Sequence, residues 1–346
     1  MNLTYDTKWI VEKLPPIERV WRRSEPDSYG ASYLIAKQTK RKKPPVSFAH
    51  WRHGWNYLNP IIHPRLLGGD PGLVHLMTTA GQVQILHNFG YKKVIAVGLP
   101  FIYADNFKTD RKAGSLLVMP GHSLPYTNPR LSEEKYVRQI ASLRSYFSTI
   151  VACLYSSCFA KGLWIPELEK HGIPYIIGAD SYDKNSLIRM NYIFKSFEYM
   201  TTNRLSSHVA YAAYSGCKVS IFGEYLPLTI EEFSDSAFYR QFPDLMQYYV
   251  EKSQKSKLEK QFPEFFVAPW EASSRKDWAD ENVGVKHKRS PAEIAKLLGW
   301  SLKDQLIGYS KTGVRLLRSP KSLYNLLKRK EVARKGDNFE TKAYKI

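Results

Sequence analysis

Hydrophobic and polar positions along this chain fall into two repeating kinds of run. Short apolar runs rich in β-forming residues, at 115–119, 149–155, 173–178, 197–201 and 217–222, predict strands. Between them, residues 133–146, 159–171 and 186–194 carry apolar positions at helical spacing, with Pro166 set to bend or restart the second. The stretch 197–224 reads as strand, polar turn, helix, strand, its helix marked by Val209, Ala210, Ala213 and Tyr214 and ended by Gly216. Strands alternating with helices predict a parallel, Rossmann-like sheet. Such sheets bind ligands at the carboxyl ends of their strands. Upstream, a strand at 46–49, a helix at 78–89 and a strand at 93–97 predict a smaller α/β layer. Polar residues 106–114 read as a linker between the two layers.

The expected organisation is therefore an N-terminal α/β domain over 1–110, a larger Rossmann-like domain over 115–285 and a helical, basic C-terminal segment over 286–346. Within the last, Ser290-Pro291-Ala292-Glu293 has the form of a capping box opening a helix. Residues 311–335 hold nine basic side chains and one acidic, interleaved with Val314, Leu316, Leu317, Leu323 and Leu326. That pattern suits a segment lying on an anionic membrane surface.

Charge changes the picture most. The 346 residues carry a formal net charge of +19, which favours an anionic partner: nucleic acid, a phosphorylated substrate or acidic lipid. Cys153, Cys158 and Cys217 make neither a disulfide framework nor a zinc site, and a cytosolic setting is expected. No run reaches the roughly 18 apolar residues of a membrane span. The sequence has no G-x-G-x-x-G, no Walker loop, no nucleophile elbow, no H-E-x-x-H and no D-x-D. What remains is phosphate binding by hydroxyls, imidazoles and free amides at helix starts, with no metal.

Two clusters could supply it, and one further turn is unusual in composition. Thr202, Asn203, Ser206, Ser207 and His208 crowd one helix start. His122-Ser123 follows the first strand of the larger sheet. The turn His50-Trp51-Arg52-His53-Gly54-Trp55 gathers two histidines, an arginine and two tryptophans around one glycine. Asp70, in Gly68-Gly69-Asp70-Pro71-Gly72, and Asp105 are further carboxylates, though turn propensity alone accounts for Asp70.

The segments VMPGHS, HGIPYIIGAD (171–180), MTTNRLSSHVAYAAYSGCKVSIFG (200–223) and ENVGVKHKRSPAEIAKLLGW (281–300) resemble bacterial surface-polysaccharide glycosyltransferases, the capsule and lipopolysaccharide enzymes of GT-B fold. Their layout is also similar to the motifs of GT-B sialyl and Kdo transferases, which use CMP-sugars. The resemblance implies two Rossmann-like domains facing a cleft, and metal-independent, inverting sugar transfer from a nucleotide-sugar to a glycan or lipid-linked acceptor. It implies that His122 and Ser123 contact the nucleotide and that Thr202, Asn203, Ser206, Ser207 and His208 hold its phosphate. The general base would come from the N-terminal half, with His53 first, Asp70 second and Asp105 third. A lipid-linked acceptor also implies a peripheral place on the inner face of the membrane. Two other readings stand beside this one: a basic nucleic-acid-binding protein, and a noncatalytic assembly partner with the same fold.

Overall fold

The buried apolar runs form two wholly parallel sheets. The computed structural model describes residues 7–104, 109–122, 133–233 and 236–318. The first sheet has order β1-β2-β3, from β1 (Ala49–Trp51), β2 (Val74–Met77) and β3 (Val94–Ala96). The second has order β6-β5-β4-β7-β8, from β4 (Lys112–Val118), β5 (Thr149–Leu154), β6 (Tyr175–Ile177), β7 (Phe197–Thr202) and β8 (Lys218–Ile221). Its connections run from β4 outward through β5 to β6, then return to β7 on the other side of β4. The carboxyl ends of β4 and β7 therefore flank the point where strand order reverses, the crevice in which such sheets bind ligands.

Helices in chain order are α1 (Lys8–Val11), α2 (Ala31–Gln38), α3 (Ala80–Asn88), α4 (Glu133–Ala141), α5 (Ser156–Ala160), α6 (Ile165–Lys170), α7 (Ser186–Ser196) and α8 (Ser207–Tyr214). Then follow α9 (Ala237–Gln241), α10 (Pro243–Lys252), α11 (Lys255–Gln261), α12 (Lys276–Val283), α13 (Pro291–Leu297) and α14 (Leu302–Arg318). Successive strand side chains face opposite sides of a sheet. Leu116 and Val118 accordingly pack with Tyr136, Val137 and Ile140 of α4 and with Leu168 of α6. Leu117, Val151 and Cys153 face the core that holds Ile193 and Phe194 of α7 and Val209 and Ala213 of α8. That second core runs on without a break to Trp51, Leu76 and Val97 of the smaller sheet. With helices on both faces, all six residues of β5 are buried, which is why its sequence is apolar without alternation.

Several elements differ from the sequence pattern. The first strand is Ala49–Trp51, not 46–49, so it takes in the first residues of the polar turn. The central strand of the smaller sheet, Val74–Met77, was not expected; it is four residues long and has a buried histidine inside it. The expected helix 159–171 is two helices, because Gly162 and Trp164 adopt left-handed backbone between them and Pro166 opens the second. Strand β4 begins at Lys112, inside the expected linker. Residues 1–45, which showed little pattern, contain α2 and the Glu25–Gly30 turn of 3₁₀ helix.

Contacts also cross the boundaries drawn from sequence. The amide of Glu18 donates to Asp183 Oδ1 at 2.8 Å, Arg19 pairs with Asp180 at 2.6 Å, and Arg189 Nη1 donates to the Pro15 carbonyl at 2.6 Å. The N-terminal leg is thus laced to the β6–α7 end of the larger sheet. In return α12 packs on α8, and the Leu99 amide donates to the Val283 carbonyl at 2.9 Å. Here Gly284 must be glycine: its φ is +78°, and a Cβ would lie 2.1 Å from the Thr78 carbonyl oxygen. The helix α14 opens the basic segment; residues 319–346 lie outside those described.

Candidate functional site

A cavity of about 430 Å³ lies over the carboxyl ends of β4 and β5, against the start of α8, and is closed on the other side by the turn after β1. This is within the range of small-molecule sites. From the larger sheet come Met119, Pro120 and His122 after β4, Tyr155 after β5, and Ser206, Ser207 and His208 at the start of α8. From the smaller sheet come Arg52, His53, Gly54 and Trp55.

The turn is held from both sides. Trp51 Nε1 donates to the Gly98 carbonyl at 3.1 Å, fixing its near end to the smaller sheet. The Trp55 amide donates to Ser207 Oγ at 3.0 Å, Tyr211 Oη donates to the His53 carbonyl, and Trp55 Nε1 donates to Asn282 Oδ1 at 3.1 Å. Phe101 stacks on Tyr211 with ring centroids 4.1 Å apart. The two sheets therefore meet through the first turns of α8.

At that helix start Ser206 is the N-cap residue, but its side chain makes no capping bond, and Ser207 Oγ is engaged with Trp55. The first amides of α8 thus have no side-chain cap, at the positive end of the helix dipole. His208 is buried; its Nε2 is 3.0 Å from Thr202 Oγ1. Desolvation, helped by His122 nearby, pulls its pKa down to about 3, so the ring is neutral at physiological pH.

Arg52 is the cation of the site. Its Nε donates to the Gly54 carbonyl at 3.2 Å and its Nη1 to the Leu66 carbonyl at 2.6 Å. No carboxylate among the described residues comes within ion-pair distance of it. Beside it, His53 Nδ1 lies 3.1 Å from Glu25 Oε1, while Glu25 Oε2 accepts the Trp51 amide at 2.8 Å. Desolvation pushes the Glu25 carboxyl up, but the His53 bond, the charges of His50 and His53 and the Trp51 amide together hold it below its usual range. With Nδ1 facing the carboxylate, Nε2 is the ring nitrogen left for another partner. Next to this pair, Tyr29 has a left-handed backbone (φ 57°) and its hydroxyl is 3.1 Å from that of Tyr155. A bulky residue in that region is strained.

The structure brings His53, His122, Ser206, Ser207 and His208 together around this cavity. Three other candidates lie apart from it. Thr202 and Asn203 are buried beneath, not along it, because their polar atoms are taken: Thr202 Oγ1 accepts the Arg204 amide at 3.2 Å, and Asn203 Oδ1 accepts the Gly121 amide at 2.8 Å. Asn203 Nδ2 also donates to the Glu224 carbonyl at 3.2 Å. Asp70 sits in an exposed turn, its carboxylate accepting the Gly72 amide at 2.9 Å and its carbonyl bonded to His75 Nε2 at 2.8 Å. Ser123 and Asp105 lie outside the described residues. Among the described residues no group of three or more His, Cys, Asp or Glu is placed to hold a metal ion.

Sequence reasoning missed Glu25 and Tyr29, and assigned Arg52 no role. Glu25 meets His53 across 28 residues of chain, and no local pattern marks it. Arg52 could have been found, being the one cation in a turn already singled out.

No family model matches this sequence, and none of the curated proteins matches it. Several solved structures overlap it in part. One is a point mutant of S. aureus TarM in complex with fondaparinux, α-GlcNAc-glycerol and UDP, at TM-score 0.32 and 12% identity over 71% of this chain and 48% of that one. A GtfA/B complex aligns at TM-score 0.33 and 15% identity over 65% and 44%. The pneumococcal O-GlcNAc transferase GtfA with UDP and GlcNAc aligns at 0.31 and 13% over 67% and 45%. The chain spans a little under half the length of these structures, and overlaps so partial carry neither fold nor chemistry across to it.

Proposed function

We propose that this chain is a glycosyltransferase that moves a sugar from a nucleotide-activated donor to a hydroxyl of a glycan or lipid-linked acceptor. The observation that carries this reading is the position of the cavity. It lies at the strand-order reversal of a parallel sheet, with an uncapped helix start on one wall and an arginine lacking a carboxylate partner on the other. The donor phosphate sits at the first amides of α8, with Ser206 Oγ and the neutral His208 ring beside it and the Arg52 guanidinium opposite. The acceptor hydroxyl gives its proton to His53 Nε2, and Glu25 stabilises the imidazolium that forms. The acceptor oxygen bonds to the anomeric carbon as the bond from that carbon to the phosphate oxygen breaks. The nucleotide leaves with the electron pair, its charge met by Arg52 and the helix dipole. A single displacement of this kind inverts the anomeric centre.

The test is a thermal-shift screen with CMP, UDP, GDP and dTDP. At a hundred times its dissociation constant the right nucleotide adds about 2.7 kcal/mol. Since Ser206 caps no amide, Ser206→Ala should leave the unliganded protein within about 0.5 kcal/mol of wild type and diminish the nucleotide shift. Absence of a shift with all four nucleotides would overturn the reading.

Membrane docking belongs to the same proposal. On α14, Leu302, Leu306 and Tyr309 are 86%, 74% and 55% exposed and lie on one face, one helical turn apart. This stripe leads directly into the basic 311–335 segment. Interfacial binding at an anionic leaflet uses that combination. No described helix is long and apolar enough to cross a membrane.

A further inference from the structure

A second cavity of about 230 Å³ adjoins the first and shares Arg52, Trp55, Tyr57 and Tyr249 with it. Its remaining wall includes Arg65, Leu66 and Tyr239. Arg65 is exposed and, like Arg52, has no carboxylate within ion-pair distance among the described residues. The Arg52 bonds to the Gly54 and Leu66 carbonyls hold its guanidinium in place without neutralising it. Its surroundings are poor in water: desolvation is the largest influence on its pKa and lowers it. Both guanidiniums line this one hollow, and that of Arg52 is partly stripped of solvent. That arrangement is costly unless an anion joins it. Guanidinium forks match the oxygens of phosphate and carboxylate, and the Trp55, Tyr57 and Tyr249 rings offer apolar faces beside them.

We infer that this second cavity receives a compact oxyanion, phosphate or carboxylate, carried by the acceptor. Arg52 stands between the two ligands, facing the donor phosphate in one cavity and the acceptor anion in the other. Arg65 binds only the acceptor. The inference rests on the donor reading of the first cavity, and it makes the enzyme selective for anionic acceptors. The net charge of +19 draws such acceptors toward the chain.

The experiment titrates the full chain at low salt with glycerol 3-phosphate, glucuronate and uncharged glycerol, in wild type and in Arg65→Gln. The two anions should bind and glycerol should not; the stronger anion shows whether the site takes phosphate or carboxylate. Arg65→Gln, an exposed change checked for folding by circular dichroism, should weaken anion binding tenfold or more. The nucleotide thermal shift should be the same in the variant as in wild type. Anions binding no better than glycerol, or an unchanged affinity in Arg65→Gln, would overturn the inference. Failure of the donor reading looks different: no nucleotide shifts the wild type, while the anions still bind through Arg65.

Discussion

Asn203 separates two accounts of the polar turn after β7. In one it touches the donor phosphate; in the other it braces the wall of the site. Its Oδ1 accepts the buried Gly121 amide at 2.8 Å and its Nδ2 donates to the Glu224 carbonyl at 3.2 Å, so it ties together the segments that leave β4, β7 and β8. Replacing it with alanine removes both bonds and leaves the Gly121 amide without a partner. An orphaned buried group costs about 1–3 kcal/mol, and loss of the half-buried bond to Glu224 adds about 1. The expected loss is roughly 2–4 kcal/mol in urea unfolding of the unliganded protein, read as a lower midpoint with unchanged slope. Asn203→Asp keeps the acceptor for Gly121 and loses only the donor, so it should fall between alanine and wild type. A direct phosphate ligand gives the opposite pattern, with nucleotide binding weakened and unliganded stability kept. A loss under about 1 kcal/mol in Asn203→Ala would refute the bracing role.

Other outcomes follow from the same reasoning. Arg204 and Glu232 form a buried ion pair at 2.7 Å, with side chains 8% and 3% exposed. Glu232→Gln leaves the guanidinium uncompensated and should cost about 3–5 kcal/mol, measured by chemical denaturation; a cost near zero would show that the Leu226 and Pro227 carbonyls suffice for Arg204. Asp183 is fully buried, and desolvation raises its pKa to about 6 despite two amide bonds, with Asp180 adding to the rise. A raised carboxyl stabilises the fold below its unfolded pKa and loses that contribution as pH climbs through the folded value. Between pH 4 and 7 the stability of Asp183→Asn should therefore gain on wild type by about 2 kcal/mol; a pH-independent difference would contradict this. Changing both Leu302 and Leu306 to glutamine should reduce co-sedimentation with anionic vesicles several-fold while leaving the melting temperature unmoved, and equal binding would count against docking through α14.

The larger sheet was legible because its strands are buried on both faces and their apolar runs are long enough to stand out, as in Thr149–Leu154. The capping box at Ser290 was legible for a local reason: Ser290 Oγ accepts the Glu293 amide at 3.3 Å, and Glu293 accepts the Ser290 amide at 3.0 Å. The smaller sheet was legible only in part. Its strands are three or four residues long, and the central one contains His75, buried by a 5.3 Å stack on His50 that no periodicity announces. In the site, residue type was readable and placement was not. Thr202 and Asn203 have the side chains of phosphate ligands and are turned inward, while Glu25 lies in a turn whose sequence gives no hint of His53. A side chain that acts across a cleft owes its position to the other wall, and that wall is invisible in a local pattern.

Polar residues at the helix starts of this protein are used in more than one way. At α3, Thr79 accepts the Gln82 amide at 3.3 Å, and at α13 Ser290 completes a capping box. Both use the side-chain oxygen for the role that local propensity assigns to it. At α8 the same residue types are present, yet Ser206 caps nothing and Ser207 reaches across to the Trp55 amide. The capping function has been exchanged for a bond between the two sheets. That bond holds the Arg52–His53 turn against the helix start, whose first amides have no side-chain cap. The departure here also fixes geometry: because Trp55, Tyr211 and Asn282 bond across the junction, the walls carrying His53 and Ser206 are set in register before any ligand arrives. On the proposed function, a site assembled in this way does not have to be ordered by the acceptor or the donor, and their binding energy remains available to the transition state.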